Sequence, residues 1–252
     1  MQGVLLAACG TLFTFAMTAL GSALVFLFRQ PAVERCQRPC MGFAAGVMSA
    51  AAVFSLLVPA AEQSRAAGGM PALTVTVGFA LGAGAMLGAE ALLSRRHQAL
   101  GESQRRQHLM LTAVTLHNIP EGMAVGLAFA MASEAGTAAL TAASALALGI
   151  GIQNLPEGAA VSLPLLNSGR GRMNSFLLGA ASGAVEPLFG ILVVLAASAA
   201  QAALPLLMAF AAGAMMLVVM EDMIPDAAKD RRGIPLAMLG YAIMMALDVA
   251  LG

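Results

Sequence analysis

Charge is scarce in this chain. Asp, Glu, Lys and Arg make up 10% of its 252 residues, against about 25% in a typical soluble domain. So few charges cannot cover the surface of a soluble monomer. This excludes an ordinary cytosolic enzyme and a disordered chain. The 13 basic and 13 acidic residues cancel. No bulk positive charge is left to hold a polyanion, so nucleic acid is excluded as a partner. Tryptophan is absent and tyrosine occurs once. Three cysteines (Cys9, Cys36 and Cys40) are too few for a disulfide scaffold. What is abundant is apolar: 60% hydrophobic residues and 27 glycines, with a mean hydropathy of +0.85. That composition belongs to a polytopic membrane protein.

A helix needs about 20 mostly apolar residues to cross the hydrocarbon core. Eight runs qualify: 4–28, 41–62, 71–93, 108–133, 137–166, 174–200, 203–225 and 234–251. None alternates with period 2, so none reads as a membrane strand. The first run has no basic flank before it and is too long for a signal segment, so it counts as a mature span. The expected architecture is all-α, one transmembrane domain over 1–252, with no room for a soluble domain. The longest expected loop is 94–107. The loops after spans 1, 3, 5 and 7 hold 12 of the 13 Lys and Arg, and Arg65 alone lies on the other side. The positive-inside rule puts those four loops in the cytoplasm and both termini outside. Spans 1–3 and 6–8 are expected to form two bundles around spans 4 and 5.

Polar residues at mid-span are costly in lipid, so each should face a partner, a cavity or a pathway. Span 4 carries His117-Asn118-Ile119-Pro120-Glu121-Gly122. Span 5 carries Gln153-Asn154-Leu155-Pro156-Glu157-Gly158, the same pattern displaced by 36 residues. Helical spacing puts His117, Asn118 and Glu121 on one face, and Gln153, Asn154 and Glu157 on another. Each proline removes a backbone donor and crowds the carbonyl one turn earlier, so both helices are expected to kink. The two spans run in opposite directions. Their motifs can therefore face each other across a local two-fold axis, a common transporter design. An imidazole, carboxylates and amide oxygens suit a divalent cation: Zn²⁺, with room for Cd²⁺, Fe²⁺ or Mn²⁺. Without a thiolate cage such a site can release its ion. Span 6 adds a third buried carboxylate, Glu186, beside Pro187. Three ionised carboxylates outweigh one M²⁺, so a second metal or a proton would improve the balance.

These residues resemble the Zrt/Irt-like (ZIP) metal transporters, and most of all the bacterial branch often called GufA-like. The resemblance covers nearly the whole chain. It implies a transport site at His117, Glu121, Gln153 and Glu157. It implies a neighbouring second metal position at Asn118, Glu121, Asn154, Glu157 and Glu186, where the neutral amide of Asn154 stands at a position that is an aspartate in some relatives. Met48 matches a position near the family's transport site. The resemblance also implies pathway residues. Ser55 and Glu62 share a helix stripe with Met48, and Glu62 and Asp248 fall near the external mouth. Glu221 and Asp222, with Asp226 beyond them, fall at the cytoplasmic end of span 7.

The function expected is transport of a zinc-like divalent ion toward the cytoplasm by alternating access, with no catalytic residue and no enzymatic activity. The location expected is the plasma membrane, as a multi-pass protein of a bacterial inner membrane. The partners expected are the metal ion and the lipid bilayer. A homodimer is a further partner considered. No GxxxxGK[ST] sequence for nucleotide binding is present. Two alternatives remain open here. One is an intramembrane metallohydrolase, which lacks H-E-x-x-H. The other is a proton-coupled organic-solute carrier, which lacks aromatic or buried arginine groups to bind its substrate. The loop around His97 and His108 is too poor in histidine for a metal sensor, and Cys36 and Cys40 read as reduced bystanders.

Overall fold

The computed structural model describes residues 2–27, 31–96, 102–199 and 201–251. Every regular element among them is helical. Helix α1 (Gln2–Ser22) ends in a 3₁₀ turn. Span 2 is built from α2 (Pro31–Ala50), a π-helical stretch (Ala51–Leu57) and α3 (Val58–Ala66). The chain continues through α4 (Pro71–Arg96), α5 (Glu102–Ala135), α6 (Thr137–Asn167), α7 (Arg172–Gly183) and α8 (Val185–Ala199). It closes with α9 (Leu204–Val218), a second π-helical stretch (Val219–Met223), α10 (Ile224–Ala227) and α11 (Gly233–Leu251).

Seven helical segments among the described residues are long and apolar enough to cross a membrane: Gln2–Phe26, Arg38–Ala66, Pro71–Leu92, Thr137–Leu166, Arg172–Ala196, Leu204–Ala227 and Gly233–Ala250. They follow the expected runs closely. The run expected at 108–133 is also one helix, α5, 34 residues long and about 50 Å from end to end. It is absent from the seven. Its polar motif dilutes its apolar character, and the side chain of His117 lies outside those described. The expected loop 94–107 is largely helix, because α4 runs to Arg96 and α5 starts at Glu102. His97 lies outside the described residues.

Pro120 and Pro156 lie inside helices α5 and α6 that run on without interruption. The irregularities come elsewhere. Span 6 is interrupted at Ala184, between α7 and α8. Spans 2 and 7 widen into π turns, where Val58 N–H bonds to Val53 O and Ile224 N–H to Val219 O, five residues back. Each widened turn is followed at once by a proline, Pro59 or Pro225. A missing proline N–H leaves the helix short of one four-back bond, and the five-back pattern absorbs the extra residue. The join between α5 and α6 is the single residue Gly136, whose φ of 92° favours glycine. It folds the two motif helices into an antiparallel pair.

The helices sort into two bodies, and not into the bundles expected from chain order. Helix α1 packs on α5, α6, α7 and α8, while α2 packs on α11 and α4 on α9. The reason is close backbone approach at small residues. A Cβ on Gly158 of α6 would overlap the Thr18 carbonyl of α1, and one on Gly122 of α5 would overlap the Glu186 backbone of α8. In the other body, Gly46 of α2 meets the Ala237 carbonyl of α11, and Gly82 of α4 meets the Phe210 carbonyl of α9. The two bodies meet mainly where α6 lies against α2 and α11 and α5 lies against α9. The candidate site lies along that seam.

Candidate metal centre

Helices α5 and α6 bring their motifs together in the interior. Asn118, Glu121, Asn154 and Glu186 are fully buried, and Gln153 is 1% exposed. The amide of Gln153 donates from Nε2 to Glu121 Oε1 at 2.6 Å. Asn154 Nδ2 lies 3.0 Å from each oxygen of Glu186 and 3.2 Å from the Thr14 carbonyl. The Thr18 hydroxyl donates to Glu186 Oε1 at 3.1 Å. Asn118 Nδ2 donates to the Ser182 carbonyl at 3.0 Å. Glu121, Glu157 and Glu186 lie near enough to repel one another.

The oxygens on the other side of these groups have no partner. Asn118 Oδ1, Glu121 Oε2, Gln153 Oε1, Asn154 Oδ1 and Glu157 Oε1 are all buried without a hydrogen bond. A buried, unsatisfied polar atom is expensive, and native proteins leave few of them. Here five come from one repeated motif, and all five are acceptors. Each amide has spent its N–H₂ on protein and left its carbonyl oxygen open. Such a set has nothing to offer an anion and much to offer a cation. Among the described residues, no three His, Cys, Asp or Glu side chains form a metal cage by themselves. The convergent set is one of carboxylates with amide oxygens, which favours passage over permanent retention.

Two cavities flank this interior. One, of about 360 Å³, is lined by Glu121 and Glu157, and by Glu221, Asp222, Asp226 and Lys229 at its mouth. Asp226 pairs there with Lys229 at 3.0 Å and with Arg38 at 4.0 Å. The other, of about 590 Å³, lies at the opposite ends of the spans and is lined by Ser55, Glu62 and Asp248. Ser55 donates to Asp248 Oδ1 at 2.7 Å, and Asp248 Oδ2 is buried without a partner. Among the described residues, no motif side chain lines this second cavity. Met48 lies along span 2 between the two cavities and Ile150 does so along α6. They are 1% and 0% exposed and belong to the apolar core. Glu121 and Glu157 thus border the cavity at the Asp226–Lys229 end.

The sequence-predicted residues therefore fall into three groups. Asn118, Glu121, Gln153, Asn154, Glu157 and Glu186 converge. Ser55, Glu62 and Asp248 share one cavity, and Glu221 and Asp222 the other. Met48 is in the apolar core, and the side chain of His117 lies outside the described residues. Sequence reasoning missed Thr14 and Thr18, which hold Asn154 and Glu186 from α1. They belong to a buried polar stripe, Thr11, Thr14, Thr18 and Ser22, spaced three or four apart on α1, and that stripe was the available signal.

A family model for the ZIP zinc transporters matches residues 89–248. The chain belongs to the ZIP family. A human protein named zinc transporter ZIP11 is 36% identical over 339 residues, an alignment that takes in 100% of this chain and 98% of that protein. The zinc transporter GufA of Myxococcus xanthus is 34% identical, covering 93% and 94%. The zinc transporter ZIPB of Bordetella bronchiseptica is 38% identical, covering 94% and 79%. Family membership and the apolar helices together make this ZIP chain a multi-pass membrane protein. Both match the GufA-like resemblance read from the paired motif.

Proposed function

We propose that this ZIP chain carries zinc, and with it Cd²⁺, Fe²⁺ or Mn²⁺, across a bacterial inner membrane toward the cytoplasm. The whole chain, 1–252, acts as one transmembrane domain of eight spans, α5 being the eighth, with both termini outside. His117, Glu121, Gln153 and Glu157 hold the transported ion. Asn118, Asn154 and Glu186, with Glu121 and Glu157, frame a second position. The observation that carries this reading is the set of five unpartnered acceptor oxygens drawn from both motif copies.

The mechanism follows from the seam. The ion enters past Glu62, Ser55 and Asp248, crosses a region now filled by Met48 and Ile150, and leaves past Glu221 and Asp222. Shifting the body of α1 and α5–α8 against the body of α2–α4 and α9–α11 closes one cavity as it opens the other. Access alternates without breaking the hydrogen bonds at the centre, because the motif helices and their α1 and α8 anchors move together. The membrane potential supplies drive, since two charges crossing 100 mV gain about 4.6 kcal/mol.

The test is Zn²⁺ uptake into proteoliposomes by wild type, His117→Ala and Glu157→Ala. Saturable uptake that both substitutions remove while the protein stays monodisperse is the expected result. Near-normal uptake by Glu157→Ala would overturn the site, and absence of flux for Zn²⁺, Mn²⁺ and Fe²⁺ alike would overturn the function.

A further inference from the structure

Beside the carboxylate–amide centre lies a smaller cavity of about 20 Å³, room for one water or one ion. Its walls are Cys40 and Met41 from α2, Gln153 and Glu157 from α6, and Met223 from the π turn of span 7. Met41, Glu157 and Met223 also line the larger cavity that opens toward the Asp226–Lys229 end. The small space is therefore a side chamber of the exit route. Two of its walls belong to the central site, and three carry sulfur.

We propose that this chamber is a soft-ligand way-station, in which Cys40 takes a thiophilic divalent cation from Glu157 and Gln153 on its way out. This rests on the transport reading above and adds a ligand that the paired motif does not contain. Two observations carry it. Cys40 is a half-buried thiol in a cavity of ionic size. Gln153 and Glu157 line the same space, each carries a buried acceptor oxygen without a partner, and Gln153 is almost wholly buried. One thiol, one carboxylate, one amide oxygen and nearby thioethers bind too loosely for a storage cage, which suits a step of passage. Thiol and thioether ligands select Cd²⁺ and Zn²⁺, while Mn²⁺ prefers all-oxygen sites. As the sulfur–metal bond forms, the thiol releases its proton to the water of the exit cavity, so charge and atoms balance. The chamber biases the protein toward soft cations at the step after the central site.

The test is alkylation of Cys40 by a small membrane-permeant maleimide, in a Cys9→Ser, Cys36→Ser background, followed by mass spectrometry. Cd²⁺ is expected to slow labelling about tenfold, the scale of occupying one ligand of a metal site. Mn²⁺ at equal concentration should leave the rate nearly unchanged. In uptake assays, Cys40→Ser should shift the Cd²⁺-to-Mn²⁺ preference roughly tenfold toward Mn²⁺ while Mn²⁺ uptake persists. Equal protection by Mn²⁺, or an unchanged preference, would overturn the proposal. A thiol that never labels would contradict its opening to the cavity and overturn it as well. Protection by Cd²⁺ in a protein that carries no ion would leave this chamber standing and remove the transport reading. Transport without protection would do the reverse.

Discussion

Replacing Asn154 by aspartate tests whether one amide lets three carboxylates share this interior. Asn154 Nδ2 lies 3.0 Å from both Glu186 oxygens. An ionised aspartate cannot donate there. Two unit charges held at that 3.0 Å separation repel by about 5 kcal/mol at an effective dielectric constant of about 20. Loss of the charge-assisted hydrogen bonding adds roughly 1.5–3 kcal/mol. Side-chain relaxation reduces the sum, and uptake of one proton at neutral pH caps the repulsion at about 4 kcal/mol, a fall in Tm of up to about 10 °C. Asn154→Ala removes the donor without adding a charge and should lose only the smaller part. A divalent cation reverses the order, because it bridges the new carboxylate and Glu186 instead of setting them against each other. The assay is thermal unfolding of purified protein in detergent at neutral pH, first with EDTA and then with Zn²⁺ or Mn²⁺. Asn154→Asp should be the least stable protein in EDTA and gain the most from metal. Equal stability of Asn154→Asp and wild type in EDTA would refute the reasoning. So would a metal gain no larger than that of Asn154→Ala.

Other outcomes follow from the same geometry. Gly122→Ala drives a methyl group into the Glu186 backbone and should destabilise by about 1–3 kcal/mol. Gly84→Ala, where nothing stands within 4 Å, should show no loss, and thermal unfolding compares the two. Ser55→Ala removes the 2.7 Å hydrogen bond to Asp248 and should lower kcat/KM for Zn²⁺ roughly three- to tenfold, with the scale set by one hydrogen bond of 0.5–1.5 kcal/mol. Initial uptake rates at low and saturating Zn²⁺ will show whether the loss lies in KM. Asp230, in the loop before α11, is held down at about 2 from 3.8 by hydrogen bonds from the Arg232 side chain and backbone. A lowered carboxyl gives its contribution above its unfolded value and loses it only as pH falls toward about 2. Asp230→Asn should therefore leave the shape of the pH profile of uptake unchanged between about pH 5 and 8.

Much of this was legible in the sequence, because membrane burial leaves a strong imprint on residue order. Apolar runs long enough to span give the helices, and the repeated Asn-x-Pro-Glu-Gly gives the residues that converge. What stayed hidden depends on tertiary partners. The sequence names Asn118, Gln153 and Asn154 but cannot say which end of each amide faces the protein. That choice is made by Ser182, Glu121, Glu186 and Thr14, all distant in the chain. Chain order suggested that span 1 belongs with spans 2 and 3. Its glycine contact with α6 and its threonines at Glu186 put it with the motif helices instead. Pro59 and Pro225 follow π turns that no apolar count reveals. That Cys40 lines one small cavity with Gln153 and Glu157 depends on the packing of α2 against α6, which spacing along the chain does not reveal.

The amides join the site to the body that carries it. Asn118 reaches the Ser182 carbonyl in the last turn of α7, just before the interruption at Ala184. Carbonyls at a helix end have lost their intrahelical donor and need another. Asn154 likewise ties α6 to α1 and α8 through Thr14 and Glu186. The groups that leave oxygen lone pairs open at the centre are thus the groups that fasten α5 and α6 to their neighbours. With each N–H₂ fixed to protein, its oxygen is held in place before an ion arrives, and little ordering remains to be done on binding. The same bonds would have to break for the two motif helices to move apart. In the proposed mechanism, an ion held by both copies of the motif therefore travels with α1 and α5–α8 as one unit, and the side that moves against it is the wall that carries Met41, Met48, Ser55 and Met223. That wall holds both π turns, each beside one of the two cavities, so the helical irregularity lies where the proposed mechanism requires the surface to open and close.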